Sequence, residues 1–138
     1  MMSRIGPKDT KPELVVRRGL HAAGIRFRLH RGDLPGRPDL VLPKYRAVIF
    51  VHGCFWHRHD GCANFRLPKT NTEFWHHKID RNVERDREAI VELRKLGWRV
   101  LIVWECETRK SPPTNLIDKI MGWIAGTTEE EEIPRPLV

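Results

Sequence analysis

The stretch that most constrains this chain runs from Ala47 to Cys62, where an apolar run ends abruptly in titratable and metal-binding side chains. Ala47–Val51 reads as a buried strand, since consecutive apolar residues leave no polar face for solvent. Three histidines, two cysteines, a Phe and a Trp then crowd the eleven positions His52–Cys62. Taken singly, each has an ordinary explanation as a core thiol, a surface imidazole or a packed ring. Massed at one strand end they are hard to explain as packing. Cys54, His59 and Cys62 stand at C-x4-H-x2-C spacing and supply three ligands for Zn²⁺, while C-x2-H-x4-C through His57 fits equally well. The remaining cysteine, Cys106, completes a Cys3His set, which is a closed structural site rather than a catalytic one.

The rest of the composition narrows the setting. A chain of 138 residues with 40% hydrophobic and 31% charged side chains is one ordinary globular domain. No apolar run reaches membrane-spanning length and the N-terminus lacks a signal-peptide core, so the expected location is cytoplasmic and the membrane is excluded as a partner. Three cysteines do not make a disulfide framework in a reducing compartment. The formal charge is +7. The tail from Glu129 holds four Glu and one Arg, so residues 1–128 are more basic still. Such an excess favours a polyanion, because each neutralised phosphate releases condensed counterions. Residues 1–128 are therefore expected to form the domain and 129–138 an acidic, poorly ordered tail.

Taken in order, Lys11 to Ala23 predicts a helix, capped by Asp9 or Thr10, with Pro12 in its first turn and Gly24 after its end. Ile25–His30 predicts a short strand. The turn L-P-G-R-P-D then delivers Asp39 to a second strand, Asp39–Leu42, hairpinned to Tyr45–Val51. Thr70-Asn-Thr-Glu73 reads as a capping box opening a helix to Leu96, stopped by Gly97. Its apolar face uses Phe74, Ile79, Val83, Ile90, Leu93 and Leu96, and its mixed charges predict ion pairs within a solvated helix. Trp98–Trp104 is nearly all apolar, as a strand covered on both faces and parallel to its neighbour would be. A last helix spans roughly 113–125. The fold class is α/β: a mixed sheet flanked by helices.

Asp39 and the end of the facing strand, Val51-His52, form the second constellation. A carboxylate on one strand and a ligand at the end of its hairpin partner make a site for Mg²⁺, which takes oxygen donors and activates a phosphodiester. His52 and His57 titrate near neutrality and can move protons, and Glu13 can orient one of them. Alone, Asp39 would be read as a turn residue. Phe55, Trp56 and Trp75 make an aromatic group suited to unstacking bases, whereas Trp98, Trp104 and Trp123 read as core.

The segments L-P-G-R-P-D, V-I-F-V-H-G-C-F-W-H, T-E-F-W, N-V-E-R-D-R and G-W-R-V-L-I-V-W-E-C resemble the very-short-patch-repair (Vsr) DNA mismatch endonucleases over roughly Met2 to Trp123. The resemblance implies a restriction-endonuclease-like core and a Mg²⁺-dependent nick 5′ of the T in a T:G mismatch left by deamination of 5-methylcytosine. It implies a catalytic metal site of Asp39, Val51 and His52, and an acid/base His57 paired to Glu13. Structural zinc falls to Cys54, His59, Cys62 and Cys106. Phe55, Trp56 and Trp75 match the base-unstacking wedge, with Met2 in the minor groove. Val51 stands where the best-known members carry Thr, and one extra residue lies between His59 and Cys62. The partners implied are T:G-mismatched duplex, MutL- or MutS-like repair proteins and, by function, a DNA cytosine-5 methyltransferase. The protein is expected to be a nucleoid-associated monomer. Two other readings compete: a zinc-stabilised module that binds distorted DNA without cutting, and a restriction or mobile-element nuclease on the same core.

Overall fold

The computed structural model describes residues 10–63, 65–110 and 112–135. Helix α1 (Lys11–Ala22) starts where Thr10 Oγ1 accepts the Glu13 amide, and Pro12 lies in its first turn. Three segments then build the antiparallel half of a sheet: β1 (Arg28–Leu29), β2 (Leu40–Leu42) and β3 (Ala47–His52). A single 3₁₀ turn, Pro43–Tyr45, joins β2 to β3. Helix α2 (Thr72–Lys95) crosses to β4 (Arg99–Trp104), which pairs with β3 in parallel, as its apolar character predicts. A short helix α3 (Glu105–Thr108), helix α4 (Thr114–Ala125) and strand β5 (Glu130–Ile133) complete the chain. The sheet order is β1-β2-β3-β4-β5, antiparallel in its first half and parallel in its second.

The sheet is packed on both faces because its central strands alternate two apolar sets. Leu40, Leu42, Ile49, Leu101 and Val103 face α1 and α4, where Val16, Leu20, Ile120 and Trp123 meet them. Val41, Val48, Phe50, Val100 and Ile102 face the other way, with Leu93 of α2 and with Trp98. The expectation that Trp98, Trp104 and Trp123 are core residues holds, since all three are buried.

Three expectations need correction. The described part of the tail is not a poorly ordered extension, because Glu130–Ile133 add a fifth strand parallel to β4, and residues 136–138 lie outside the described residues. Its acidic side chains find partners: Glu129 and Glu130 meet Arg94, Glu131 meets Arg135, and Glu132 accepts the Trp104 indole N–H at 3.0 Å. Ile133 is buried and anchors the strand. Helix α2 does not open on a capping box. Asn71 at φ 57° is its N-cap with no side-chain cap, and Thr72 Oγ1 instead donates to Pro68 O and Lys69 O. Asn tolerates this left-handed entry better than most residues. Finally, Phe74 and Leu96 are exposed while Ala89 is buried, and several α2 charges pair outside the helix, Asp80 with Arg58 and Asp86 with His57.

The L-P-G-R-P-D turn is pressed against α2. A Cβ on Gly36 would lie 2.6 Å from Ala89 Cβ and 3.2 Å from Phe50 Cζ, and its φ of +74° disfavours any side chain. Gly36→Ala should therefore cost about 1–3 kcal/mol in denaturant unfolding, from strain and overpacking together.

Candidate active site and metal cluster

Register decides what meets at the end of the sheet. In the parallel pair β3–β4, His52 lies opposite Trp104, so the chain leaving β3 as Gly53-Cys54 runs beside Glu105-Cys106. Glu105 Oε1 accepts the Cys54 amide at 3.3 Å and joins the two exits. Beyond it the loop turns back on itself through His57 N–H to Gly53 O and His59 N–H to Cys54 O. That turn sends neighbouring histidines to different sites.

His59 goes to the cysteines. Ligand atoms of Cys54, His59, Cys62 and Cys106 all lie within 4.8 Å of one another. His59 Nδ1 sits 3.5 Å from both Cys54 Sγ and Cys106 Sγ, and its ring stacks on Trp104 at 4.2 Å. The choice between His57 and His59 thus falls to His59. Burial raises the Cys54 thiol and pushes Cys106 up to about 12, where the adjacent Cys54 opposes a second thiolate; burial also lowers His59. Thiols crowded in this way ionise together only with a cation among them. The donor set fits a metal ion.

His57 goes the other way. Its Nδ1 lies 2.6 Å from Asp86 Oδ2 on α2, and its ring stacks on His52 at 3.8 Å and an interplanar angle of 5°. The pairing of His57 with Glu13 is therefore corrected: Asp86 is its carboxylate partner. Glu13, buried on α1, instead places Oε2 2.6 Å from His30 Nε2 and 3.5 Å from Arg17. Nevertheless Glu13, Asp39, Val51, His52, His57 and Asp86 all line one cleft of about 640 Å³. His52 is buried, its Nδ1 has no hydrogen-bond partner among the described residues, and burial followed by the adjacent His57 holds its pKa well below the usual imidazole value.

Asp39 sits where β1 and β3 converge on β2. Its carbonyl accepts the His30 amide at 3.2 Å and its Oδ2 accepts the Val51 amide at 2.7 Å. Burial raises its carboxyl to about 6, helped by the nearby Glu13 charge and opposed by the Val51 N–H. Desolvation outweighs the hydrogen bond.

The three expected wedge aromatics do come together. Phe55, Trp56 and Trp75 have ring centroids 5.0–5.8 Å apart, and Trp56 remains partly exposed on the rim of the cleft. Phe65 and Phe74 extend the group, with Phe74 59% exposed. Met2 lies outside the described residues. Sequence reasoning missed Asp86, His30 and Glu105. Asp86 sat in the quoted N-V-E-R-D-R segment, but helical charge patterning made it look like a solvated residue.

The chain as a whole is similar to known proteins. The family described as DNA mismatch endonuclease Vsr matches residues 1–64. The DNA mismatch endonuclease Vsr of Escherichia coli K12 is 47% identical over 96% of this chain and 86% of its own length. The type II nicking enzyme V.XorIIP of Xanthomonas oryzae is 51% identical over 78% of each chain. The type II nicking enzyme V.NmeAIP of Neisseria meningitidis is 47% identical over 79% of this chain and 77% of its own. Among solved structures, the catalytic domain of the homing endonuclease I-Bth0305I superposes with a TM-score of 0.52 at 24% identity, covering 84% of this chain and 91% of that one. That likeness speaks for the fold, which fits a restriction-endonuclease-like core.

The raised Asp39 carboxyl makes a stability prediction. Its folded pKa of about 6 exceeds its ordinary 3.8, so folding takes up a proton between those values. The stability it supports is present below pH 4 and is lost as pH rises through 6. Asp39→Asn should stabilise the protein at pH 8 without added divalent cation by on the order of 3 kcal/mol, at roughly 1.4 kcal/mol per pKa unit. The gain should shrink on acidification in denaturant titrations.

Proposed function

This chain belongs to the Vsr family of DNA mismatch endonucleases and is a DNA endonuclease, and we propose that it nicks one strand 5′ of the T in T:G mismatches. Such mismatches arise when 5-methylcytosine deaminates, which links the protein functionally to a DNA cytosine-5 methyltransferase. MutL- or MutS-like repair proteins would act with it. The observation that carries the reading is one cleft holding Asp39, the stacked His52–His57 pair and Asp86, rimmed by Trp56 of the aromatic group. Among the described residues no helix is long and apolar enough to cross a membrane.

Each side chain has a part. With Nδ1 held by Asp86, His57 is left with Nε2 as its working nitrogen, able to take a proton from an attacking water or return one to the leaving oxygen. Stacking on His52 fixes the plane of its ring. Mg²⁺ would be held by the Asp39 carboxylate with the Val51 carbonyl and His52, between two gathered groups of ligand atoms, Glu13–His30–Asp39 and His52–His57–Asp86. When bound, Mg²⁺ supplies the Lewis acidity that polarises the phosphodiester. Glu13 acts behind this group, beside His30 and Asp39 rather than on His57. Phe55, Trp56 and Trp75 unstack the mismatched bases, each stack being worth about 1–3 kcal/mol, and Met2 reaches the minor groove. Zn²⁺ held by Cys54, His59, Cys62 and Cys106 is structural, since four protein donors leave no open position.

Two measurements test this. On a panel of mismatched duplexes with Mg²⁺, the wild type should nick T:G substrates on the T strand only. Asp39→Asn should bind T:G duplex normally but cut several orders of magnitude more slowly, and Asp86→Asn should lose about 10²–10⁴-fold, the usual worth of a positioned acid/base. Wild-type rates for Asp39→Asn would end the assignment. For zinc, protein purified without chelator should carry one zinc per chain. Cys106→Ser should lose it together with much of the melting temperature, because structural zinc contributes on the order of 10 kcal/mol. Metal analysis finding none would remove the structural role.

A further inference from the structure

Among the described residues five other than glycine adopt left-handed backbone: His30, Arg37, Arg46, Arg58 and Asn71. This conformation costs most side chains about 1–2 kcal/mol relative to the right-handed form, with Asn among the exceptions. For the others, a side chain retained there invites a question about what it does. Arg46 donates to Leu96 O at 2.9 Å and lies over the Trp98 ring. Arg58 pairs with Asp80, and His30 reaches Glu13 at 2.6 Å. The side chain of Arg37, at φ 48°, makes no hydrogen bond or ion pair among the described residues. It is exposed, and its guanidinium passes over Gly32, whose Cβ position lies 3.7 Å from Arg37 Nε.

Its position is nevertheless closely set. Arg37 N–H donates to Leu34 O at 3.1 Å, Gly36 before it is packed against α2, and Pro38 after it leads into Asp39. Arg37 lines the same cleft as Asp39, His52 and His57. That cleft also holds the carboxylates of Glu13, Asp86 and Glu105, which a phosphodiester would meet with like charge. A guanidinium stays protonated throughout the working pH range and matches phosphate oxygens with a planar fork. Resting on the reading of the cleft as a DNA-nicking site, we propose that Arg37 is the residue that grips a phosphodiester of the nicked strand there. Its missing partner is the substrate. Arg85, also exposed and without an ion pair among the described residues, lines the same cleft from α2, beside Asp86, and adds to the positive border.

The test uses Arg37→Gly, which removes the guanidinium and also relieves the left-handed strain. DNA binding would be measured without added Mg²⁺ so that the duplex stays intact. The variant should melt at or above the wild-type temperature yet bind duplex roughly tenfold more weakly at moderate salt. The slope of log affinity against log salt should fall by about one, as for loss of one phosphate contact. In a series of duplexes each carrying one neutral methylphosphonate, the wild type should show a binding penalty at a phosphate where Arg37→Gly shows none. Arg37→Lys should keep the slope and recover part of the affinity. An unchanged slope, or a methylphosphonate profile identical to wild type, would overturn the assignment. Because binding is read without cleavage, these results stand apart from the nicking assay. A wild type that cut no T:G duplex would defeat the functional reading while still showing whether Arg37 holds phosphate.

Discussion

Everything at the working end of this protein depends on the parallel pairing of β3 with β4 and on its register. With His52 opposite Trp104, two chain segments more than fifty residues apart leave the sheet side by side. One exit supplies Cys54, His57 and His59; the other supplies Glu105 and Cys106. A shift of a single residue would turn each side chain to the opposite face and separate both clusters. The register is held by the buried alternation of Val48, Ile49, Phe50 against Val100, Leu101, Ile102, whose two faces pack on different helices. Core packing and site assembly are the same event here.

The site is built at a cost to stability. Asp39 is half-buried beside Glu13 with its carboxyl raised to about 6, and His52 is buried with a ring nitrogen that has no partner among the described residues. Both arrangements are unfavourable in the isolated protein and favourable once a cation or substrate supplies the missing charge. The hydrophobic layers on either side of the sheet offset that cost. A binding module would have no use for such tension, and this disfavours a protein that only holds DNA.

Much of this was legible in the sequence because it lay in local pattern. The hairpin from Asp39 and the parallel strand before Cys106 follow from spacing and apolar runs, whereas spacing left His57 and His59 equal as donors to the cysteines and only the family resemblance pointed to His59. What escaped depended on contacts between distant elements. Asp86 looked like one charge among many on α2, and only the fold brings it to His57 in place of Glu13. The acidic tail looked unable to pack, since nothing local shows that Arg94 and the Trp104 indole wait for its glutamates. Thr70 and Glu73 matched a capping pattern, yet the preceding loop enters α2 through a left-handed Asn71.

The two clusters are not independent. A continuous series of rings joins them: His57 stacks on His52 at 3.8 Å, His52 meets the edge of Trp104 at 5.3 Å, and Trp104 stacks on His59 at 4.2 Å. Glu105 ties the same region through the backbone, accepting the Cys54 amide while its other oxygen pairs with Arg109 at 2.5 Å. Densely packed rings and short hydrogen bonds transmit displacement rather than absorb it. A metal ion drawing Cys54, His59, Cys62 and Cys106 together would therefore also set the plane of His57. On the proposed reading the Cys/His loop would form the back wall of the active site, and a metal bound there would set the orientation of His57 without meeting the substrate.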